Sequence, residues 1–252
     1  MNNLSLSQIN TPLPPNFEDM EVEAKFVIPD LQTYEILKAL QGQRLEEYRI
    51  LFRYEAMFID TYYDTEDLDI FHKDGALRAR RRYRDPQASI PRDARFQAKD
   101  DTTVIDAVFF RNETRGKRSR EPENWDSFLE MQLKQDSQDN AINFIREFAE
   151  LNNKSLSPVL KVLDVRYRLF LSKEYQLLYE MSLDRLQFIG LTGIKGSQNV
   201  YECEIESISE KTDENIKQLI SVSNKIADQF QLIPSPASKY RRGIKSVVIY
   251  EN

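Results

Sequence analysis

The sequence predicts a single α+β domain in which antiparallel strands close into an eight-stranded barrel with helices packed outside it. Two observations predict this fold class. Eight segments of the 252-residue chain alternate apolar and polar residues and are rich in β-branched and aromatic side chains, a pattern typical of strands. Three helical segments interrupt that pattern, and neither a repeat nor a shift in composition divides the chain into two domains.

A polar leader precedes the first strand. Residues 1–18 contain three prolines, so we expect a disordered leader there and one folded domain over 19–252. The strand pattern then recurs in eight segments, at 19–28, 57–64, 75–83, 94–100, 103–111, 159–171, 175–188 and 199–208. Turn residues such as Lys73-Asp74-Gly75 separate several of these segments.

The helical segments begin at residues that suit a helix N-terminus. They are expected at 31–41, 122–151 and 213–230. Asp30 and Thr212 can each cap a helix through a side-chain oxygen, and Pro122 suits a first turn. The middle stretch is expected to break near 135–140.

Composition excludes several kinds of site. The chain has 35 Lys and Arg against 41 Asp and Glu, and its net charge of −6 argues against a nucleic-acid-binding face. The single cysteine, Cys203, excludes an internal disulfide and a cysteine-based zinc cluster, and we expect it in the core. The single histidine, His72, excludes a multi-histidine metal site, and we expect it at the surface.

The sequence also lacks a glycine-rich phosphate loop and any apolar run long enough to span a membrane. Any chemistry must therefore use Asp, Glu, Lys, Arg and Tyr. A cytoplasmic location fits this composition, and we expect neither a nucleic-acid nor a membrane partner. A homodimer stays open.

Charged residues recur on one face of several predicted strands, because alternate side chains of a strand point the same way. The sets are Glu21, Glu23 and Lys25; Arg78 and Arg80; Gln97 and Lys99; Arg111 and Glu113; Arg166 and Arg168; Glu180, Ser182 and Asp184; and Glu202, Glu204 and Glu206. Exposure to solvent would explain the charged residues on any one strand. Runs of charges of the same sign, however, favour a face that points inward, where charged side chains need partners. The predicted guest is a polyanion, bridged to the carboxylates by Mg²⁺ or Mn²⁺.

Short motifs follow one another in order along the chain. They are Glu21-Val22-Glu23-Ala24-Lys25, Tyr62-Tyr63-Asp64-Thr65, Leu77-Arg78-Ala79-Arg80, Lys99, Arg111-Asn112-Glu113, Arg166-Tyr167-Arg168, Leu183-Asp184, Glu204-Ile205-Glu206 and Ser238-Lys239-Tyr240. This ordered set resembles the CYTH superfamily, the triphosphate tunnel metalloenzymes. The first motif alone is weak evidence, but the set covers 21–240. The resemblance implies an eight-stranded antiparallel tunnel that binds a triphosphate.

The resemblance also implies a role for each charged residue of these motifs. The metal ligands would be Glu21, Glu23 and Glu206. The phosphate oxygens would be bound by Lys25, Arg78, Arg80, Lys99, Arg111, Arg166, Arg168 and Lys239. The catalytic residues would be Lys25, Glu204, Glu113 and Asp184, with the carboxylates orienting basic side chains, a second metal or the attacking water.

The expected function is metal-dependent hydrolysis of inorganic triphosphate or short polyphosphate, since phosphoryl transfer needs charge neutralisation and positioning more than a covalent nucleophile. Three alternatives stay open: a class IV adenylate cyclase, a thiamine triphosphatase and a non-catalytic polyphosphate-binding sensor. Tyr62 and Tyr63 could stack on an organic ring, but strand packing explains them more simply. The long segments 84–93 and 190–199 could shape a tunnel mouth, so they leave the substrate's organic group open.

Overall fold

A computed structural model of the chain describes residues 13–100, 103–105, 108–119, 125–134, 137–191, 198–235 and 237–247. These residues form an α+β fold with one twelve-stranded sheet and six α-helices. The strands are β1 (Glu21–Ile28), β2 (Arg44–Leu45), β3 (Tyr48–Asp64), β4 (Ala76–Tyr83), β5 (Asp93–Lys99), β6 (Thr103–Ile105), β7 (Val108–Arg111), β8 (Glu113–Arg115), β9 (Ser157–Lys173), β10 (Gln176–Gly190), β11 (Val200–Ser207) and β12 (Ile233–Pro234). The helices are α1 (Leu31–Lys38), α2 (Asp69–His72), α3 (Trp125–Gln132), α4 (Asn140–Phe148), α5 (Asp213–Phe230) and α6 (Lys239–Val247).

The sheet follows the order β6-β7-β1-β11-β10-β9-β3-β4-β5-β8, with β2 beside β3 and β12 beside β1. The paired strands are antiparallel, as predicted. Among the described residues this ladder has two ends. The prediction of a closed eight-stranded barrel is therefore wrong in the number of strands and in the closure of the ladder.

An interruption at Asn112 explains the open ladder. The predicted strand 103–111 is divided into β6 and β7, and the chain resumes after Asn112 as β8. The backbone N–H of Asn112 donates to Asp100 Oδ1 at 3.0 Å, and its Nδ2 donates to Oδ2 at 2.5 Å. Because Asp100 takes this N–H, Asn112 separates β7, which pairs with β1, from β8, which pairs with β5.

Strand β3 begins earlier than predicted, since the expected segment 57–64 is only its second half. Tyr48 and Ile50 are buried while Arg49 between them is exposed, so the alternation extends upstream. The other predicted strands agree with β1, β4, β5, β9, β10 and β11 to within one or two residues at each end. The prediction therefore omits half of a strand that lies in the middle of the sheet.

Two predicted helix caps are confirmed. The Asp30 carboxylate accepts the Thr33 N–H at 2.7 Å at the start of α1, which ends at Lys38, before its predicted end. The Thr212 hydroxyl accepts the Asn215 N–H at 3.2 Å at the start of α5. Both side chains satisfy a backbone N–H that the first turn of a helix leaves without a partner.

The predicted helical stretch 122–151 is divided into α3 and α4, and the break lies in the predicted region. Pro122 lies outside the described residues. Asp139 begins α4 by accepting the N–H groups of Ala141 and Ile142 at 3.0 and 3.3 Å. The sequence analysis does not predict α2, which is a single turn, or α6, whose sequence is mainly basic.

The predicted leader 1–18 lies mostly outside the described residues, so its disorder stays a prediction. Phe17, near its end, is buried in the same apolar cluster as residues of β1. None of the helices in the described part of the chain has the length and apolar character of a membrane span.

Helices pack on one face of the sheet, and polar side chains occupy the other. On β11, Cys203 and Ile205 are fully buried in an apolar cluster that includes Leu219 and Ile226 of α5. The core position predicted for Cys203 is confirmed. The glutamates that alternate with these residues therefore project from the opposite face, where the charged side chains of neighbouring strands meet.

Candidate active site

The polar face of the sheet lines a cavity of about 270 Å³ in which Lys and Arg outnumber Asp and Glu. The predicted substrate-binding residues that line it are Lys25, Arg78, Arg80, Lys99, Arg111, Arg166, Arg168 and Lys239. The predicted metal ligands and catalytic carboxylates that line it are Glu21, Glu23, Glu206, Glu113 and Glu204. Asp184 is fully buried behind the wall. The structure therefore brings the predicted site residues together around one cavity.

Three carboxylates, Glu21, Glu23 and Glu206, form what we call the acidic trio. Glu23 and Glu206 are register partners on β1 and β11. Lys99 Nζ contacts Glu21, and Lys25 Nζ donates to Glu23 Oε1 at 2.9 Å. Within the described ranges, no cation lies within ion-pair distance of Glu206.

Glu206 is consequently hard to ionise. Burial raises the pKa of this carboxyl to about 8, and the nearby charges of Glu21 and Glu23 contribute to the rise. Among the described residues, Glu206 is therefore the member of the acidic trio without a cation partner, and the trio's oxygens are the hard ligands that Mg²⁺ and Mn²⁺ prefer. The chemistry of these residues suits a divalent cation, but their three carboxylates do not form a group whose ligand atoms all lie within 4.8 Å of one another.

A second acidic cluster, formed by Asp184, Glu202 and Glu204, is compact enough to hold a metal, since an oxygen of each lies within 4.8 Å of the others; within the described ranges no other group of three carboxylates meets this distance. Lys239 Nζ, however, lies 2.6, 2.8 and 2.9 Å from these three carboxylates in that order. Arg166 donates Nε and Nη2 to the two oxygens of Asp184 at 2.7 and 2.6 Å. This cluster therefore has the spacing of a metal site, but side-chain cations already neutralise its carboxylates.

Glu204 joins this cluster to the acidic trio. Lys25 Nζ lies 3.2 Å from Glu204 Oε1 and bonds Glu23 as well. Burial disfavours the charged form of Glu204. The positive charges of Lys239 and Lys25 have the larger effect, and they hold the pKa of Glu204 well below its usual range. Burial likewise opposes the charge of Lys25, yet Glu23 and Glu204 raise its pKa. These groups are therefore charged at neutral pH.

Asp60 orients two arginines that the sequence predicts to bind phosphate. Arg80 donates Nε and Nη2 to the two oxygens of Asp60 at 2.7 and 2.6 Å, and Arg78 Nη1 donates at 3.2 Å. Burial opposes the charge of Asp60, but Arg80 and Arg78 lower its pKa to about 2. The prediction omits Asp60, although its position two residues before Tyr62 places it on the same strand face.

The strands beside the break at Asn112 carry two further predicted residues. Arg111 of β7 is buried and lies opposite Glu21 in the register with β1, and Glu113 of β8 lies opposite Lys99 of β5. Burial disfavours the charge of Glu113, but Lys99 and the hydrogen bond from Arg115 lower its pKa to about 2. Glu113 is therefore an ionised partner for these cations.

Arg168 is held by residues that the sequence analysis does not assign to the site. Its Nη1 donates to the Tyr54 hydroxyl at 2.6 Å, and its Nε lies 3.0 Å from Glu180 Oε1. Arg53 Nη1 donates to the other oxygen of Glu180 at 3.0 Å. Tyr54 and Arg53 belong to the half of β3 that the prediction omits, whereas Glu180 shares the strand face predicted for Asp184.

The two tyrosines of the YYDT-like motif are packed, as predicted. Tyr62 stacks on Tyr240 with ring centroids 5.0 Å apart, and Tyr63 lies against Phe96 at 5.9 Å. The Tyr62 hydroxyl lies 3.4 Å from Arg78 Nη1 at the cavity wall. The structure therefore does not present these rings as an open stacking surface.

The model of the CYTH domain family matches residues 19–242. A search of curated protein sequences finds no match. Solved structures share the fold, among them three with TM-scores of 0.54 to 0.55. One is a Hippeastrum protein described as an adenylyl cyclase candidate with a dominant triphosphatase activity; it is 17% identical, with a TM-score of 0.55 over 88% of this chain and 95% of its own.

The second structure is a proposed adenylate cyclase from Bacillus halodurans, 15% identical, with a TM-score of 0.55 over 91% of this chain and 98% of its own. The third is a protein from Pyrococcus horikoshii OT3, 16% identical, with a TM-score of 0.54 over 92% of this chain and 99% of its own. At these identities the likeness establishes a shared fold.

Proposed function

The chain belongs to the CYTH domain family, and on that basis we propose that it hydrolyses a phosphoanhydride bond of a triphosphate held in the charged cavity. One observation carries the proposal: cations from β1, β4, β5, β7, β9 and α6 converge on one cavity, beside the carboxyl group of Glu206, whose pKa is raised by burial and by the charges of Glu21 and Glu23. The triphosphatase activity described for the Hippeastrum structure supports the same reaction. The proposed substrate is inorganic triphosphate or short polyphosphate.

We propose that the acidic trio holds Mg²⁺ or Mn²⁺. The cation, when bound, supplies Lewis-acid neutralisation of phosphate oxygens. Lys25 and Lys99 already contact two members of the trio, so they lie where they can bind the same phosphate oxygens. Glu206 must lose its proton to serve as a ligand.

The arginines are proposed to bind phosphate through their planar forks. Carboxylates behind the cavity wall hold Arg80 and Arg166 bidentately, through Asp60 and Asp184 respectively. This support fixes the guanidinium groups before the substrate arrives, so less side-chain entropy is lost on binding. Preoriented cations stabilise the charge that spreads over the transferred phosphoryl oxygens. Asp184 therefore acts as a positioning residue.

Glu204 is proposed to orient the attacking water. It lies on the cavity wall between Lys25 and Lys239, and these cations keep it ionised. An ionised carboxylate accepts a hydrogen bond from water and directs an oxygen lone pair toward phosphorus. Lys239 and Glu113 would complete the ring of charges around the phosphates.

We further propose that the cavity is a tunnel whose wall closes by covalent connection at Asn112. Arg111 lies beside β1, and Glu113, two residues later, lies beside β5. The contact between Lys99 of β5 and Glu21 of β1 crosses the same seam. The two halves of the wall are therefore joined there by the chain itself and by an ion pair.

The test is phosphate release from inorganic triphosphate, ATP and thiamine triphosphate, each with Mg²⁺, with Mn²⁺ or with a chelator. We expect release from inorganic triphosphate to need the cation and to fall by about a hundredfold in Lys25→Ala and in Glu23→Ala, because the first removes a cation at the phosphates and the second removes a proposed ligand of the metal. Arg84→Gln is the matched control, since Arg84 is exposed and lies outside the cavity wall. Unchanged release in both cavity variants would contradict the proposal.

The other candidate activities have distinct products. Cyclic AMP and pyrophosphate formed from ATP, without phosphate release from any substrate, would identify a cyclase. Tight binding of triphosphate in the presence of a chelator, with no turnover under any condition, would identify a sensor. Faster release from thiamine triphosphate than from inorganic triphosphate would identify a thiamine triphosphatase.

A further inference from the structure

Three arginines of the cavity wall have no role in the proposed triphosphate site. Arg82 follows Arg80 on the same face of β4, and Arg95 of β5 is the register partner of Arg80. Arg118 lies 3.9 Å from Asp93, which is the register partner of Arg82. These three residues, which we call the arginine extension, therefore continue the row of cations along β4 and β5.

The arginine extension differs from the proposed triphosphate ligands in charge balance. Arg80 and Arg166 each have a bidentate carboxylate partner. In the part of the chain that the structure describes, no carboxylate lies within ion-pair distance of Arg82 or Arg95, and Arg118 reaches Asp93 only at 3.9 Å. Among the described residues at this end of the cavity, the three arginines therefore share one nearby carboxylate, Asp93, which compensates only part of their positive charge.

Like charges surround Arg95 in particular. Arg80 lies directly across the strand pair, an arrangement that is unfavourable for two cations. Burial lowers the pKa of Arg95, and the charges of Arg115 and Arg118 lower it further, while the carboxylate of Glu113 acts in the opposite direction. An anion placed among these groups would relieve their repulsion, since it would supply the partner that the wall lacks.

The surroundings of Tyr54 indicate what kind of anion this is. The guanidinium carbons of Arg53, Arg82 and Arg168 lie 5.4, 5.1 and 5.3 Å from the centre of its ring. Cations therefore occupy the space around the ring that a nucleobase or thiazole would need for stacking. The end of the cavity offers charge and planar donors rather than an aromatic surface, and this favours an inorganic anion.

We propose that the arginine extension is a subsite for an additional phosphate of a linear polyphosphate, beyond the three phosphates bound by the predicted residues. The inference rests on the proposed function and makes it more specific. Arg82, Arg95 and Arg118 are then specificity-determining residues, which select chains of four or more phosphates over inorganic triphosphate. Each guanidinium offers a fork of N–H donors that matches the oxygens of one phosphate.

The experiment compares binding of inorganic triphosphate and linear tetraphosphate by calorimetry, with a chelator present, to the full chain and its variants. We expect wild type to bind tetraphosphate more tightly. The double variant Arg82→Gln, Arg95→Gln should lose about tenfold or more in affinity for tetraphosphate and about twofold or less for triphosphate, because it removes two charge-assisted contacts to the fourth phosphate only. Arg95→Lys, which keeps the charge, should retain part of the preference, and Arg84→Gln should retain all of it.

Two results would overturn the subsite. Equal losses for the two ligands would show that these arginines bind the triphosphate itself, and an absence of any loss would show that they bind neither. The outcome is separate from hydrolysis, which is measured as phosphate release with Mg²⁺. Tighter binding of tetraphosphate than of triphosphate, without phosphate release, would refute the proposed hydrolase and support the subsite. Phosphate release without tighter binding of tetraphosphate would support the hydrolase and refute the subsite.

Discussion

Asp164 is a buried carboxylate that no predicted motif includes. Its side chain is fully buried on β9, and neither of its oxygens has a hydrogen-bond partner among the described residues. Oδ2 lies 3.5 Å from Arg80 Nη2 and 3.9 Å from Arg166 Nη2, while these arginines bond Asp60 and Asp184. Burial, followed by the charge of Asp184, raises the pKa of Asp164 to about 7 against the effect of the arginines.

This pKa predicts the effect of Asp164→Asn on stability. The folded protein holds the proton of Asp164 more tightly than the unfolded chain, whose pKa is near 3.8, so stability from this group is lost as pH rises from about 4 to about 7. An amide cannot ionise. The stability of the variant relative to wild type should therefore be higher at pH 8 than at pH 5, by about 2–3 kcal/mol. Urea unfolding at the two pH values measures this, and a pH-independent difference would refute the assignment.

The pKa of Glu206, about 8, predicts a pH dependence for metal binding. Below that pH the proton must leave before the carboxylate can bind a cation, so affinity for Mg²⁺ or Mn²⁺ should rise as pH increases toward 8, with release of a proton. Calorimetry in two buffers of different ionisation enthalpy counts that proton. Glu206→Gln should abolish its release. A metal that binds wild type without releasing a proton would argue for different ligands.

At the scale of elements, helix α6 is positioned by contacts of three kinds. The Tyr240 hydroxyl donates to Asp64 Oδ2 at 2.6 Å. Lys239 Nζ bonds the carboxylates of the second acidic cluster. Gly243 faces the sheet so closely that an added Cβ would lie 2.4 Å from Leu160 Cδ2 and 2.9 Å from Phe188 Cδ1. The backbone of α6 therefore packs directly against buried side chains of β9 and β10.

This close packing predicts the effect of Gly243→Ala. The new methyl group must displace Leu160 or move α6, so we expect a loss of about 1–3 kcal/mol in stability, as for other overpacked cores. Movement of α6 also draws Lys239 away from its carboxylates, so KM for triphosphate should rise. Urea unfolding and steady-state kinetics measure the two effects, with the exposed Lys245→Ala on the same helix as control. Unchanged stability and KM would mean that Leu160 and Phe188 accommodate the added methyl group without cost, and would contradict the prediction.

At the scale of the whole molecule, charge is segregated. The chain has a net charge of −6, yet Lys and Arg outnumber Asp and Glu in the cavity wall. Several carboxylates stand behind that wall, where Asp60 and Asp184 hold arginines in place. Net charge therefore says little about the charge that a ligand meets, because a fold can place opposite charges in successive shells.

Much of the fold follows from local residue patterns. The alternation on β11 predicts that Cys203 is in the core and that Glu204 projects from the other face, and the Asp30 and Thr212 caps follow from short-range chemistry. The break at Asn112 cannot be predicted from local residue patterns, because it depends on a hydrogen bond to Asp100, which is twelve residues away in sequence. The first half of β3 can be predicted only in part from the sequence, since partly exposed residues weaken its alternation of buried and exposed positions.

The candidate site, too, can be predicted from the sequence only in part. Side-chain direction along a strand depends on the local backbone alone, so residue order predicts that Arg78 and Arg80 share a face and, with the family motifs, that they meet a polyanion. Which carboxylate supports which arginine depends on contacts between distant strands. Asp60 on β3 meets Arg80 on β4, and Tyr54 meets Arg168 over a separation of 114 residues. Such pairings depend on sheet order and register, and folding of the whole chain sets both.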